Sequence, residues 1–240
     1  MTNFEKQLFD LAVKPFAQVG KFATHFAKGK LTGDPVFKEI LQRGLIVSGS
    51  HVVDIGCGQG LFSAWMLAAD VMASDPRWPA GWQPAPRAVT VQGIELMPAD
   101  VMRAETALVD HGQRFKFVAG DMCTTPFDKS DAVVILDVLH YVPYAAQNDI
   151  LGRVRESLLP SGVLILRIGD AAGGLSFKIS NWVDNIVFFV RGHSQSRLYC
   201  RTLTQWMDIL TKLGFTVESK PMSQGTPFAN VLLVAHLKSK

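Results

Sequence analysis

Apolar side chains recur at steps of three and four over residues 4 to 28: Phe4, Leu8, Leu11, Phe16, Val19, Phe22 and Phe26. That spacing predicts helix, interrupted near Pro15, whose ring does not fit a helix interior. Lys14, Lys21, Lys28 and Lys30 run alongside. Two readings suit such a segment. One is an amphipathic helix that covers a face of the domain; the other is a basic amphipathic lid that touches a membrane or an apolar substrate. From residue 51 the pattern changes to short apolar runs alternating with helical stretches. Strands are expected at 51–55, 90–95, 115–119, 131–136 and 163–168, and helices at 61–71 and 99–109. Further helices are expected at 145–159, stopped by Pro160-Ser161-Gly162, and at 202–213, stopped by Gly214. Strands 215–219 and 230–236 follow with no helix between them. This order predicts an α/β fold: a doubly wound, mostly parallel seven-stranded sheet with helices on both faces and an antiparallel edge strand.

Two stretches break the rhythm. Residues 74–90, SDPRWPAGWQPAPRAVT, hold four prolines and two tryptophans, a composition that fits neither helix interior nor central strand. Residues 170–201 stand where a short loop is usual, and they contain NWVDNIVFFV (181–190), read as a small apolar helix. The expected organisation is an N-terminal helical cap, 1–45, and one larger domain, 46–240, with inserts at 74–90 and 170–201.

Composition narrows the class without naming a chemistry. The 240 residues are 48% hydrophobic and 19% charged, as in an ordinary globular protein. A net charge of +3 with no Lys/Arg run argues against a nucleic-acid coat. The three cysteines, Cys57, Cys123 and Cys200, are far apart and form no C-x-x-C, which suits a reducing cytoplasm rather than a disulfide framework. The first residues lack the charged and apolar regions of a signal peptide, and no apolar run is long enough to span a membrane.

Candidate chemistry starts at 52–62, VVDIGCGQGLF. A strand ends at Asp54-Ile55, three alternate glycines follow, and a helix opens at Leu61. In an open α/β sheet ligands bind beyond such strand ends, and glycines let the backbone approach them closely. A dinucleotide loop wants G-x-G-x-x-G and a P-loop wants G-x-x-x-x-G-K-[ST]; G-x-G-x-G matches neither. Asp54 would repel a pyrophosphate and favours a cationic ligand. Asp54-x-Gly56-x-Gly58-x-Gly60 resembles the first motif of class I S-adenosylmethionine (SAM)-dependent methyltransferases. Gly93-Ile94-Glu95-Leu96-Met97-Pro98, Ala119-Gly120-Asp121-Met122 and Asp131 to Asp137 resemble that family's second, third and fourth motifs, in the right order.

The resemblance implies a Rossmann-like methyltransferase fold and SAM as cofactor, held by Asp54, Gly56, Cys57, Gly58, Gly60, Glu95, Leu96, Asp121, Met122 and Asp137. Glu95 would bind the ribose hydroxyls and Asp121 would sit near the adenine amino group. Gly60 and Glu95 stand 35 positions apart, where about 20 are usual, and the 74–90 insert accounts for the excess. Asp75, at the end of a short strand Val71 to Ser74, is the competing ribose acid. Glu95 is preferred because its strand is better formed and a helix follows it directly.

Methyl transfer needs alignment, exclusion of water and, for some acceptors, a base. His140, after the fourth strand, is the first candidate base; it equally suits a packing role. Tyr141 would line the pocket. Arg167, Asp170 and His193 follow or flank the fifth strand, and Arg191-Gly192-His193 would hold an acidic group or supply a second base. No Asn-Pro-Pro-Tyr or Asp-Pro-Pro-Tyr sequence marks an amino-methylating nucleic-acid enzyme, and no H-x-x-x-H or paired-Asp cluster marks a metal site. Trp182, Phe188 and Phe189, with the aromatic N-terminal helix, suit a small aromatic or acyl-type acceptor, free or carrier-bound. The tail 221–230 and the Asp137 to Tyr141 context are similar to bacterial methyltransferases of aryl-polyene pigment pathways, which would imply a phenolic acceptor. The competing expectations are a nicotinamide-dependent oxidoreductase, opposed by the glycine spacing, and a non-catalytic SAM-fold partner subunit. Peripheral membrane contact would run through the N-terminal helix.

Overall fold

The computed structural model describes residues 1–172, 198–222 and 230–237. Its strands are β1 His51–Ile55, β2 Thr90–Glu95, β3 Phe115–Ala119, β4 Ser130–Leu136, β5 Leu158–Gly169, β6 Phe215–Pro221 and β7 Asn230–Leu237. They form one sheet in the order β3-β2-β1-β4-β5-β7-β6. β2 runs parallel to both β1 and β3, while β7 runs antiparallel to both β5 and β6. The doubly wound, mostly parallel sheet with antiparallel pairing at one edge is the one the strand and helix order predicts. The chain falls into two compact units, Met1–Val133 and Val134–Lys240.

The first unit carries α1 Asn3–Val13, α2 Lys21–Gly33, α3 Pro35–Gln42, α4 Leu61–Val71 and α5 Pro98–Ala107. A capping box starts α1: the Glu5 N–H donates to Thr2 Oγ1 at 3.1 Å and the Thr2 N–H to Glu5 Oε2 at 2.7 Å. A 3-10 turn over Lys14–Gln18, with Pro15 near its start, ends that helix. At Gly20 the backbone takes φ 130°, and α2 begins in a new phase. It buries Ala23, Ala27 and Leu31 and leaves Phe22 67% and Phe26 38% exposed. The single apolar face expected from Phe4 through Phe26 therefore ends at Phe16. The sequence pattern does not mark α3, although Asp34 caps it by accepting from the Val36 N–H and Pro35 occupies its first turn.

Helix α4 is buried on nearly every side. Its Trp65 donates Nε1–H to the Phe37 carbonyl at 2.7 Å and lies against the rings of Phe9 and Phe37. The proline-rich stretch folds back on the N-terminus, with Phe4, Trp78 and Trp82 in mutual edge-to-face contact at 5.5 to 6.0 Å. Residues 71–74 close α4 in turns, so the strand Val71 to Ser74 invoked for Asp75 does not form.

The second unit carries α6 Tyr144–Ser157 and α7 Leu203–Lys212. The helix expected to reach Leu159 stops at Ser157, and β5 starts at Leu158 instead of Val163. Pro160 disfavours helical backbone at the residue before it, and Ser161 turns to φ 66° within the extended run. Thr202 and Gln205 form a second capping box at the start of α7. Among the described residues no helix is long and apolar enough to cross a membrane.

Candidate active site

In the first unit the glycine loop leaves β1 and enters α4. Gly56, Gly58 and Gly60 have φ of 76°, 54° and 82°, a region other residues adopt at a cost. A Cβ on Gly60 would press Ala104 Cβ and Phe117 Cζ at 3.1 Å, whereas one on Gly58 would meet nothing within 4 Å. Gly60 serves packing against α5; Gly58 borders open space. No side chain caps α4, so its leading N–H groups stay available beside the loop. Gln59, buried, donates Nε2–H to the Ala23 carbonyl at 2.9 Å and ties the loop to α2.

Two carboxyl groups face this loop differently. Glu95, ending β2, accepts from the Gly58 N–H on Oε2 and from the Met97 N–H on Oε1, both at 3.0 Å. Asp54 is 3% exposed, and its side chain has no hydrogen bond or ion pair among the described residues. Burial, with Glu95 adding repulsion, pushes its carboxyl up to about 8. Burial raises the Cys57 thiol well above its usual range as well, so Cys57 is a packing residue of the loop and not a nucleophile. Leu96 is exposed and Met122 half-buried. Asp121 uses Oδ1 to accept from the Cys123 N–H at 2.8 Å, which shapes the turn after β3. Asp75 is engaged by Arg77, whose N–H and Nε–H donate at 2.8 and 2.9 Å and which holds the carboxylate down to about 2. Asp75 thus has neither the strand expected before it nor a free carboxylate. A buried, unpaired carboxyl beside an open glycine fits a cationic group without phosphate, as SAM presents.

In the second unit Asp137 sits at φ 60° just after β4. Both its oxygens are bonded by Arg167, Nε–H at 2.8 Å and Nη2–H to Oδ2, and its N–H donates to the Arg167 carbonyl at 3.3 Å. Arg167 lies within β5, 2% exposed. Its guanidinium is engaged by Asp137. The turn Leu139–Tyr141 carries both aromatic candidates, with the His140 and Tyr141 rings 4.2 Å apart. Burial lowers the His140 imidazole below its ordinary range, opposed by the negative charge of Asp137, so the ring is neutral at physiological pH.

Three residues outside the sequence expectations hold their parts of the site. Buried Gln147 donates Nε2–H to the carbonyls of Leu139 and Val142, both at 3.0 Å, and of Tyr199 at 2.8 Å. Its Oε1 accepts from Arg201 Nε–H at 2.7 Å, and the Tyr199 N–H donates to the His140 carbonyl at 2.9 Å. Gln147 and Arg201 thus pin the His140 turn to the returning segment Tyr199–Arg201. The third is Gln59. No local pattern marks any of them, since each makes a bond to a position at least 36 residues away. Asp170 accepts from the N–H groups of Ala172 and Leu203 and caps the chain entering α7. His193, Arg191, Trp182, Phe188 and Phe189 lie outside the described residues. Among the described residues no cluster of His, Cys, Asp and Glu could hold a metal ion.

Comparison with known proteins supplies the context. A family described as a methyltransferase domain matches residues 25–220. No curated protein sequence matches the chain. Among solved structures, the chain is similar to the pyocyanin biosynthetic protein PhzM at 18% identity and TM-score 0.62, over 94% of this chain and 61% of that one. It thus spans about three-fifths of that protein. Magnesium protoporphyrin IX methyltransferase (ChlM) from Synechocystis PCC 6803 with bound SAM is similar at 17% identity and TM-score 0.58, over 89% of this chain and 84% of that one. Human N-acetylserotonin methyltransferase in complex with SAM follows at 14% identity and TM-score 0.51, over 95% of this chain and 56% of that one. Strand order and family match define a class I SAM-dependent methyltransferase. The chain belongs to the methyltransferase-domain family, its cofactor is SAM, and the nicotinamide reading falls away.

Proposed function

We propose that the enzyme methylates a small acceptor of aromatic or acyl type, free or carrier-bound, with His140 as the base that takes the acceptor's proton. SAM supplies a methyl group already attached to a good leaving group. Asp54 would meet the cofactor's cationic end, Glu95 its ribose hydroxyls and Asp121 the edge of its base, with the backbone at Gly56, Cys57, Gly58 and Gly60, and with Leu96 and Met122, shaping the cradle. The carrying observation is that Gln147 fixes the turn bearing half-buried His140, whose imidazole is held below its ordinary range, the direction a base needs. Asp137 acts through its bond to Arg167 by setting the start of that turn. Tyr141 would line the acceptor side, and His193 is the alternative base.

Similar structures named for magnesium protoporphyrin IX and N-acetylserotonin favour a small molecule over a polymer. A phenolic acceptor, as in aryl-polyene pathways, is the form tested first. A cap over 1–45 and a catalytic domain over 46–240, a cytoplasmic setting favoured by three scattered free cysteines, and peripheral contact with a membrane through the N-terminal helices complete the reading.

The test is transfer of label from methyl-labelled SAM to a panel of phenolic, acyl and lipid acceptors. We expect a phenolic or acyl acceptor to be labelled. His140→Ala should lower kcat by about 10²- to 10⁴-fold with SAM affinity unchanged. Turnover that survives His140→Ala removes His140 as the base; label on lipids alone removes the acceptor class.

A further inference from the structure

The helix α2 presents a face that the methyltransferase reading leaves without a task. Its inward side is filled by Ala23, Ala27 and Leu31, all buried. Its outward side shows two large apolar rings, Phe22 and Phe26, stacked with centroids 6.3 Å apart. Exposed apolar area of this kind is costly unless something covers it. The ionisable side chains that α2 itself carries are all basic. Residues 21–33, KFATHFAKGKLTG, include Lys21, His25, Lys28 and Lys30 and no acid. Lys30 is tied to Asp34 at 3.0 Å, while Arg103 of α5 lies over the Phe22 ring at 5.2 Å and carries its own partner, Asp100. Lys21 and Lys28 are exposed on the flank of the same helix, one position before Phe22 and two after Phe26.

We propose that this face of α2 is a docking surface for an anionic lipid bilayer, with Phe22 and Phe26 entering the acyl boundary and Lys21 and Lys28 meeting lipid phosphates. The proposal rests on the reading above only in taking a membrane as the partner; it requires no particular acceptor. Its chemistry is that of an interfacial helix, whose aromatic side chains bury shallowly while lysine stems lie along the boundary and their ammonium groups reach the headgroups. Anionic lipid also answers the unbalanced positive charge. A second copy of the chain answers it poorly, since a symmetric contact through this helix would bring two basic helices together. A neutral apolar partner would leave the lysines unanswered.

The experiment is co-sedimentation of the full chain with vesicles of phosphatidylcholine alone or enriched in phosphatidylglycerol, alongside labelled-SAM binding on the same samples. Binding should be about tenfold or more tighter to the anionic vesicles and should weaken as salt rises. Phe22→Ser/Phe26→Ser and, separately, Lys21→Glu/Lys28→Glu should each lower vesicle binding about tenfold, with SAM affinity and circular dichroism unchanged. Equal binding to both vesicle types, no binding to either, or retention by the serine variant overturns the proposal. So does concentration-dependent dimerisation abolished by the serine variant, which assigns the face to a second copy. Loss of SAM binding in the wild type would instead strike the methyltransferase reading, so the two failures are distinguishable.

Discussion

Glu95 spends one carboxylate on two backbone N–H groups, one in the glycine loop and one at the start of α5. A charged acceptor so placed fixes the loop and still offers lone pairs to a ligand. Glu95→Ala should weaken SAM binding about tenfold to a hundredfold, the scale of losing hydrogen bonds to a charged group, while Asp75→Ala leaves it unchanged. Isothermal titration decides; the reverse pattern would make Asp75 the ribose acid. At this scale the sequence is readable where the chemistry is local. Asp54 and the three glycines announce themselves by spacing alone. The commitment of Asp137 to Arg167 does not, because it joins two strands 30 positions apart and no nearby residue records it. Gln147 is harder still: a glutamine inside a helical pattern looks solvent-facing until the carbonyls it serves are known.

Among the elements, the Leu139–Tyr141 turn is held mostly by bonds from outside itself. Gln147→Leu would strip three carbonyls of a donor and Arg201 of an acceptor within a buried site. We expect a loss of about 2–4 kcal/mol in chemical denaturation, because unpaired buried polar groups carry their full desolvation cost. Gln147→Glu should lose at least as much: it keeps the acceptor for Arg201 but sets a carboxylate oxygen against the three carbonyls. A loss under half a kcal/mol for Gln147→Leu would mean that water replaces its bonds. Apart from β5, which starts early at Leu158, the strands match their predicted spans closely because each is a compact apolar run, but the N-terminal helices do not. One periodic pattern runs across Gly20, where the backbone breaks the phase, and the Asp34-Pro35 start signal of α3 lies between lysines and a short apolar stretch.

For the whole molecule, Asp54 links stability to pH. Its folded value of about 8 lies above that of an exposed aspartate, so the native state holds a proton the unfolded chain releases. That contribution is complete below about pH 4 and is lost as pH rises toward 8, by up to about 1.4 kcal/mol per pH unit. His140, lowered by burial, works the opposite way: it costs stability as the medium turns acidic. Denaturation midpoints between about pH 7.5 and 8 therefore weigh Asp54 over His140, because unfolded histidine is largely neutral there. Stability should fall across that window in the wild type and stay flat in Asp54→Asn, and saturating SAM should reduce the slope; equal slopes in both proteins would discount the buried carboxyl. The Phe4, Trp78 and Trp82 cluster has a consequence of another kind. It makes the proline-rich insert and the first helix one heritable module, so across diverging lineages the two are expected to be acquired or discarded together, and a relative that lacks the insert should carry a small or polar residue where Phe4 stands.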